Sequence, residues 1–130
     1  MKAKPIGWKA EVEKGKYYLG DPCYVFNDTD WDTLLDSCNV FENPIGIVRG
    51  YEILAFGTKY GDGEYIDNYG TLYPVDAGLI GLVPFDLIKK NYSEEKLESF
   101  GNVVEFKWKV ICTSIDGVLT FGRYKINTGD

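Results

Sequence analysis

Histidine is absent from all 130 residues, which removes every Ser-His and Cys-His nucleophile arrangement and all imidazole ligation of a metal. Any chemistry must come from carboxylates, tyrosines, lysines or a bound ion. Cysteine is scarce: Cys23, Cys38 and Cys112 stand far apart, in neither CxxC nor zinc-ligand spacing, so buried free thiols are expected rather than a disulfide framework or a zinc site. Arginine occurs only as Arg49 and Arg123. With 20 acidic residues against 14 basic ones the formal charge is -6, which opposes binding to double-stranded nucleic acid. Long apolar runs are missing too: none approaches the roughly 20 residues that span a bilayer, and residues 1–16 lack the apolar stretch of a signal peptide. No membrane partner and a cytoplasmic location are therefore expected. With no repeat, low-complexity stretch or Ser/Pro linker, residues 1–130 read as a single domain.

Aromatic residues are plentiful. Ten tyrosines, seven phenylalanines and three tryptophans exceed what one small core needs, and tyrosine favours positions with one wet edge, so some are expected along a surface groove. Turn signals recur every 8 to 12 residues or so, the spacing of short strands. Trp8, Ala10 and Val12 alternate with charged residues before Glu13-Lys14-Gly15, which reads as an opening hairpin into Tyr17-Tyr18-Leu19. Asn27 or Asp28 caps a helix with Trp31, Leu34, Leu35 and Cys38 on one face, and Pro84 opens a second helix that resumes from Ser93. Residues 46–56 read as one central strand. Leu72 to Val83 reads as strand interrupted at Gly78 and Gly81, and Val104 to Cys112 followed by Asp116-Gly117 and Val118 to Ile126 reads as the clearest hairpin. The order suits an α+β fold, mostly β: a curved antiparallel sheet or small β-barrel with two short helices packed at one side.

Three aspartates each lie beside a glycine or proline at a bend: Asp21 in Gly-Asp-Pro, Asp62 in Gly-Asp-Gly and Asp76 in Asp-Ala-Gly. If these bends converge at one sheet end, the carboxylates form a cluster. One reading makes them acceptors for a polar ligand, with Tyr24, Thr58, Tyr60 and Tyr65 beside them and Arg49 as a clamp for phosphate or carboxylate. A second makes Asp62, Asp67 and Asp76 the oxygen ligands of Mg or Mn in a hydrolase, the first reading needing no cofactor. The order around Asp62 is not that of a calcium loop. Against both, Asp-Gly and Asp-Pro are ordinary turn formers and an aspartate can simply cap nearby amides. Asp76 resists that view because it interrupts an apolar run, where an ionised carboxylate needs a partner. Ser93-x-x-Lys96 matches the start of a Ser-Lys nucleophile motif, with no other signature of that class.

The stretches YYLGDPCYVF, TKYGDGEYIDNYGTLYPVDAGLIGLVP and DGVLTFGRYKINTG span most of the chain. Their combination of GDPCYV, T-x-YGDG-x-Y and VDAG-x-IG resembles a family of small uncharacterised proteins of bacteria and their phages. That resemblance implies an accessory protein, in the host cytoplasm if phage-encoded, that disables a host defence. The expected function is binding of a small polar ligand, such as sequestration of a nucleotide signal. A metal-dependent hydrolase acting on a nucleotide is one alternative; a module that docks on and inhibits a host protein is the other. Exposed edge strands also make a homo-oligomer an expectation.

Overall fold

The computed structural model describes residues 7–40 and 42–129. Its spine is a pair of bent strands. The first is β1 (Gly7–Val12) running on as β2 (Gly15–Gly20), and the second is β8 (Gly101–Phe106) running on as β9 (Val110–Ile115). Gly7 pairs with Ile115 and Val12 with Val110, then Gly15 pairs with Phe106 and Gly20 with Gly101, so residues 13–14 face 107–109 across a bulge. The bend carries both chains from one sheet into another. The opening hairpin read from the sequence is thus corrected: β1 and β2 do not pair with each other. The alternating run Val104 to Cys112 likewise breaks at 107–109, because an apolar residue can face inward in each of two sheets without the strand being straight.

Around this spine lie β3 (Ile45–Val48), β4 (Tyr51–Gly57), β5 (Gly63–Ile66), β6 (Leu72–Val75), β7 (Leu79–Pro84), β10 (Val118–Phe121) and β11 (Tyr124–Asn127). One sheet has the order β3-β4-β7-β2-β8, a second β1-β9-β10-β11, and β5 pairs with β6 alone; all pairings are antiparallel and no sheet closes into a barrel. The expected single strand 46–56 is a hairpin. Its turn is Arg49-Gly50, with φ of 48° and 84°, a left-handed pair that matches strand twist. Arg123 also sits in a turn, between β10 and β11, so neither arginine is the strand residue that the pattern suggested.

The five-stranded sheet is buried on both faces. Tyr17, Leu19, Leu54, Phe56, Ile80, Leu82 and Phe106 look toward the four-stranded sheet and meet Cys112, Leu119, Phe121 and Ile126. Tyr18, Ile53 and Val83 look the other way, onto three helices. These are α1 (Asp28–Ser37), capped by Asn27, and the short α2 (Phe85–Ile88) and α3 (Glu94–Glu98), where two helices were expected. Leu34, Ile88 and Leu97 are their fully buried contributions. Ser93 is the cap of α3, its hydroxyl accepting from the Lys96 amide at 3.1 Å, so the Ser-Lys pair has a plain helical use. The result is a mostly-β α+β fold in three layers, helices on sheet on sheet. Among the described residues no helix is long and apolar enough to cross a membrane.

Candidate functional site

The three aspartate-bearing bends do converge. Strand β2 ends at Gly20 opposite Gly81, β4 ends at Gly57 opposite Leu79, and β6 turns into β7 through Asp76-Ala77-Gly78, so residues 21–24, 58–62 and 76–78 share one pole of the molecule. Asp21 holds two of them together. Its carboxylate is fully buried; one oxygen accepts from the Cys23 amide at 3.0 Å, and the other from the amides of Asp76 and Ala77 at 2.9 and 2.7 Å. The Tyr18 hydroxyl donates to the Asp21 carbonyl at 3.0 Å and occupies the space a side chain at position 20 would need, which is why glycine precedes Asp21. The third bend is tied in by Thr58. Its amide donates to the Gly78 carbonyl at 2.9 Å and its hydroxyl to the Gly61 carbonyl at 2.6 Å, an oxygen that Tyr65 also holds through its hydroxyl at 2.9 Å.

The sequence-derived residues therefore divide by use. Asp21, Thr58 and Tyr65 have their polar atoms engaged in fixing backbone. Asp62 and Asp76 remain exposed, with the Gly61-Asp62 turn packed on Gly78. The expectation that Asp76 lies within an apolar run and therefore needs a partner is corrected: the run is divided by the turn, Asp76 is exposed, and the buried carboxylate of the pole is Asp21. Tyr24 borders Asp76. Burial, then its hydrogen bond to that carboxylate and the negative charge, push the phenol above its ordinary value. Behind it Phe100 stacks at 5.3 Å between ring centres, and Tyr92 meets Phe100 edge-on and donates to the Tyr24 carbonyl at 3.2 Å. Sequence reasoning missed this backing; the only signal was the apolar spacing Tyr92, Leu97, Phe100 around a short helix.

Tyr60 is 65% exposed, with the Lys59 ammonium 5.9 Å from its ring centre. Arg49 is elsewhere, at the far end of β4, its guanidinium 3.1 Å from Asp30. Asp67 is also apart, at the opposite end of β5 from Asp62. Its buried carboxylate accepts from the amides of Tyr69 and Thr71 at 2.8 and 3.0 Å and from the Tyr73 hydroxyl at 2.6 Å, a turn-closing arrangement. Asp62, Asp67 and Asp76 are consequently not assembled, and among the described residues no group of three or more His, Cys, Asp or Glu is placed to hold a metal ion.

Cys23 lies between the two bends that Asp21 joins. Burial, the charge and hydrogen bond of Asp21, and the charge of Asp76 push its thiol up to about 12, and burial does the same to Cys112. Both stay protonated at neutral pH, so neither is a ready nucleophile. These groups, with Tyr18, Tyr24 and Tyr73, bind their protons more tightly folded than unfolded. The stabilisation they give is complete below the unfolded thiol value, near pH 9, and is lost as pH rises toward about 12 for the thiols and further for the phenols. The urea midpoint is therefore expected to hold level from about pH 7 to about pH 8.5 and to fall steadily above about pH 9; a midpoint flat to about pH 11 contradicts the assignment.

The chemistry available at this pole is acceptance of hydrogen bonds by two exposed carboxylates beside aromatic surface. Comparison of the chain with protein-family models, with curated proteins and with solved structures found no match in any of the three.

Proposed function

We propose that the protein is a non-enzymatic binding module that takes a small polar ligand at the turn pole. Asp62 and Asp76 accept hydrogen bonds from it, and Tyr24 and Tyr60 supply aromatic surface. The observation that carries this reading is the convergence of three separate turns, locked by Asp21 and Thr58, which leaves two carboxylates outward on a rigid base. Binding is favoured over turnover because the thiol and the phenol beside those carboxylates hold their protons and offer no base or nucleophile. The ligand surface that meets the pole is donor-rich and not anionic: Arg49, the expected phosphate clamp, is engaged by Asp30 at the other end of β4, and the Lys59 ammonium is held by Asp116 at 3.0 Å. Ribose hydroxyls and a base amino group fit that description, so the nucleoside part of a nucleotide signal of host defence is the class to test first.

The test is to incubate the protein with nucleosides, linear nucleotides, cyclic dinucleotides and ADP-ribose-type compounds, with and without Mg²⁺, then filter, denature and identify what is retained by mass spectrometry. A compound held and released intact is the expected result. Asp76→Ala should weaken retention about tenfold, as loss of one charge-assisted hydrogen bond does, and leave the unfolding free energy within about 0.5 kcal/mol of the parent because the side chain is exposed. Conversion to a product that a chelator abolishes would move the protein to the hydrolase class. Passage of the whole panel unchanged would remove the pole as a small-ligand site.

A further inference from the structure

A second concavity lies at the opposite pole, independent of the turns. The bend after β1, the Arg49-Gly50 hairpin turn and the end of β7 enclose a groove of about 200 Å³. Val12, Leu54 and Leu82 give it an apolar interior, and Leu54 and Leu82 are all but fully buried. Glu13, Glu52 and Tyr17 border the groove, and Glu11, Gly50 and Tyr51 also contribute to its lining. The Tyr17 hydroxyl donates to the Glu13 carbonyl at 2.7 Å, and burial followed by the charge of Glu13 and, more weakly, of Glu52 raises its ionisation, so the field of these acids reaches the groove. The chain's own Lys109 already answers part of that charge, its ammonium 3.3 Å from Glu13 and 3.7 Å from Glu11, but it stays on the solvent side, 55% exposed. Glu52 has no cationic partner within ion-pair distance among the described residues.

The groove is smaller than the roughly 300 Å³ at which sites for drug-sized ligands begin. Its size, its apolar interior and its acidic rim match a four-carbon stem that ends in an ammonium. We infer that this groove docks a lysine side chain presented by a partner protein, the stem against Val12 and Leu82 and the head between Glu13 and Glu52 beside Tyr17. The overall charge of -6 steers a basic segment toward the protein. This site was not legible from the sequence, because its acids belong to two bends about 40 residues apart and look like ordinary solvent-facing charges.

The test is a ¹H–¹⁵N titration with the peptide acetyl-Lys-Gly-Lys-Gly-amide, its glutamate counterpart and n-butylammonium, on the parent and on Glu52→Gln, Glu13→Gln and Asp76→Ala. The expected result is saturable shifts at the amides of Glu11, Val12, Tyr51 and Glu52 with the lysine peptide, none with the glutamate peptide, and a Kd raised about tenfold in each Glu→Gln variant, the loss of one charged contact. Asp76→Ala should leave that Kd unchanged, which separates this site from the turn pole. No saturable shift, shifts scattered over the acidic surface, or a Kd indifferent to Glu52→Gln would overturn the inference. Equally tight binding of n-butylammonium would overturn a protein partner in favour of a free amine. Both Glu residues are exposed, so their variants fold, and retained amide dispersion confirms it.

Discussion

Replacing Asp21 by alanine is expected to destabilise the protein by about 4 kcal/mol, a large share of the roughly 5–15 kcal/mol that holds a domain folded. Three backbone amides, those of Cys23, Asp76 and Ala77, converge on this carboxylate in a place closed to water. Removing it takes the shared acceptor from all three donors at once and leaves a cavity where the buried carboxylate stood, so the cost is set by what is left behind as well as by the net worth of the bonds themselves. Asp21→Asn keeps one acceptor oxygen but turns an amide group toward an amide donor, so a loss of about 2–3 kcal/mol is expected, between parent and alanine variant. Urea unfolding at neutral pH measures both. A shift below about 0.5 kcal/mol for Asp21→Ala would mean that water reaches these amides, and the locked turn pole would have to be abandoned.

Gly81→Ala should be as damaging, for a different reason. Gly81 lies inside β7, paired to Ala55 of β4 on one side and to Gly20 of β2 on the other. A methyl group there would overlap the Leu54 carbonyl oxygen and come within 2.8 Å of the Ala55 Cα, and backbone in the middle of a sheet covered on both faces has nowhere to move. Overpacking of this kind costs about 3 kcal/mol or more, well beyond the ~0.5–1 kcal/mol that alanine gains over glycine in the unfolded chain. Gly57→Ala is the matched control: its nearest neighbour would be 3.9 Å away, so it should unfold within about 0.5 kcal/mol of the parent. Similar midpoints for the two variants would show that β4 and β7 do not approach as closely as described.

The same pair of residues marks how far the sequence was legible. Period-two alternation identified strand content, and capping residues located the helices closely: Asn27 and Ser93 both serve as the caps they resemble. Pairing partners were not legible, because alternation says which face a side chain takes and nothing about which strand lies beside it. That is why β1 and β2 read as a hairpin although they belong to different sheets, and why Gly81 read as an interruption when it is a place of close approach. At the site, the shared setting of Asp21, Asp62 and Asp76 beside glycine or proline raised the question of their convergence without answering it. Which of them is buried was not legible. A carboxylate followed by proline at a strand end and one inside an apolar run look alike until a turn is known to pass beneath the first and through the second.

The spine also dictates when the protein can fold. Residues 7–12 pair with 110–115, and residues 15–20 pair with 101–106 as well as with β7, so at least 80 residues of intervening chain must be in hand before the spine can close. Closure over such a separation is slow, and the hairpins β3–β4 and β9–β10, whose ends are near each other in sequence, have time to form first. On a translating ribosome this means that β2, with its buried tyrosines, waits with one edge open until β8 emerges. A chain stalled before residue 101 presents that edge as a template for its neighbours, and aggregation of such truncations is the outcome this architecture imposes.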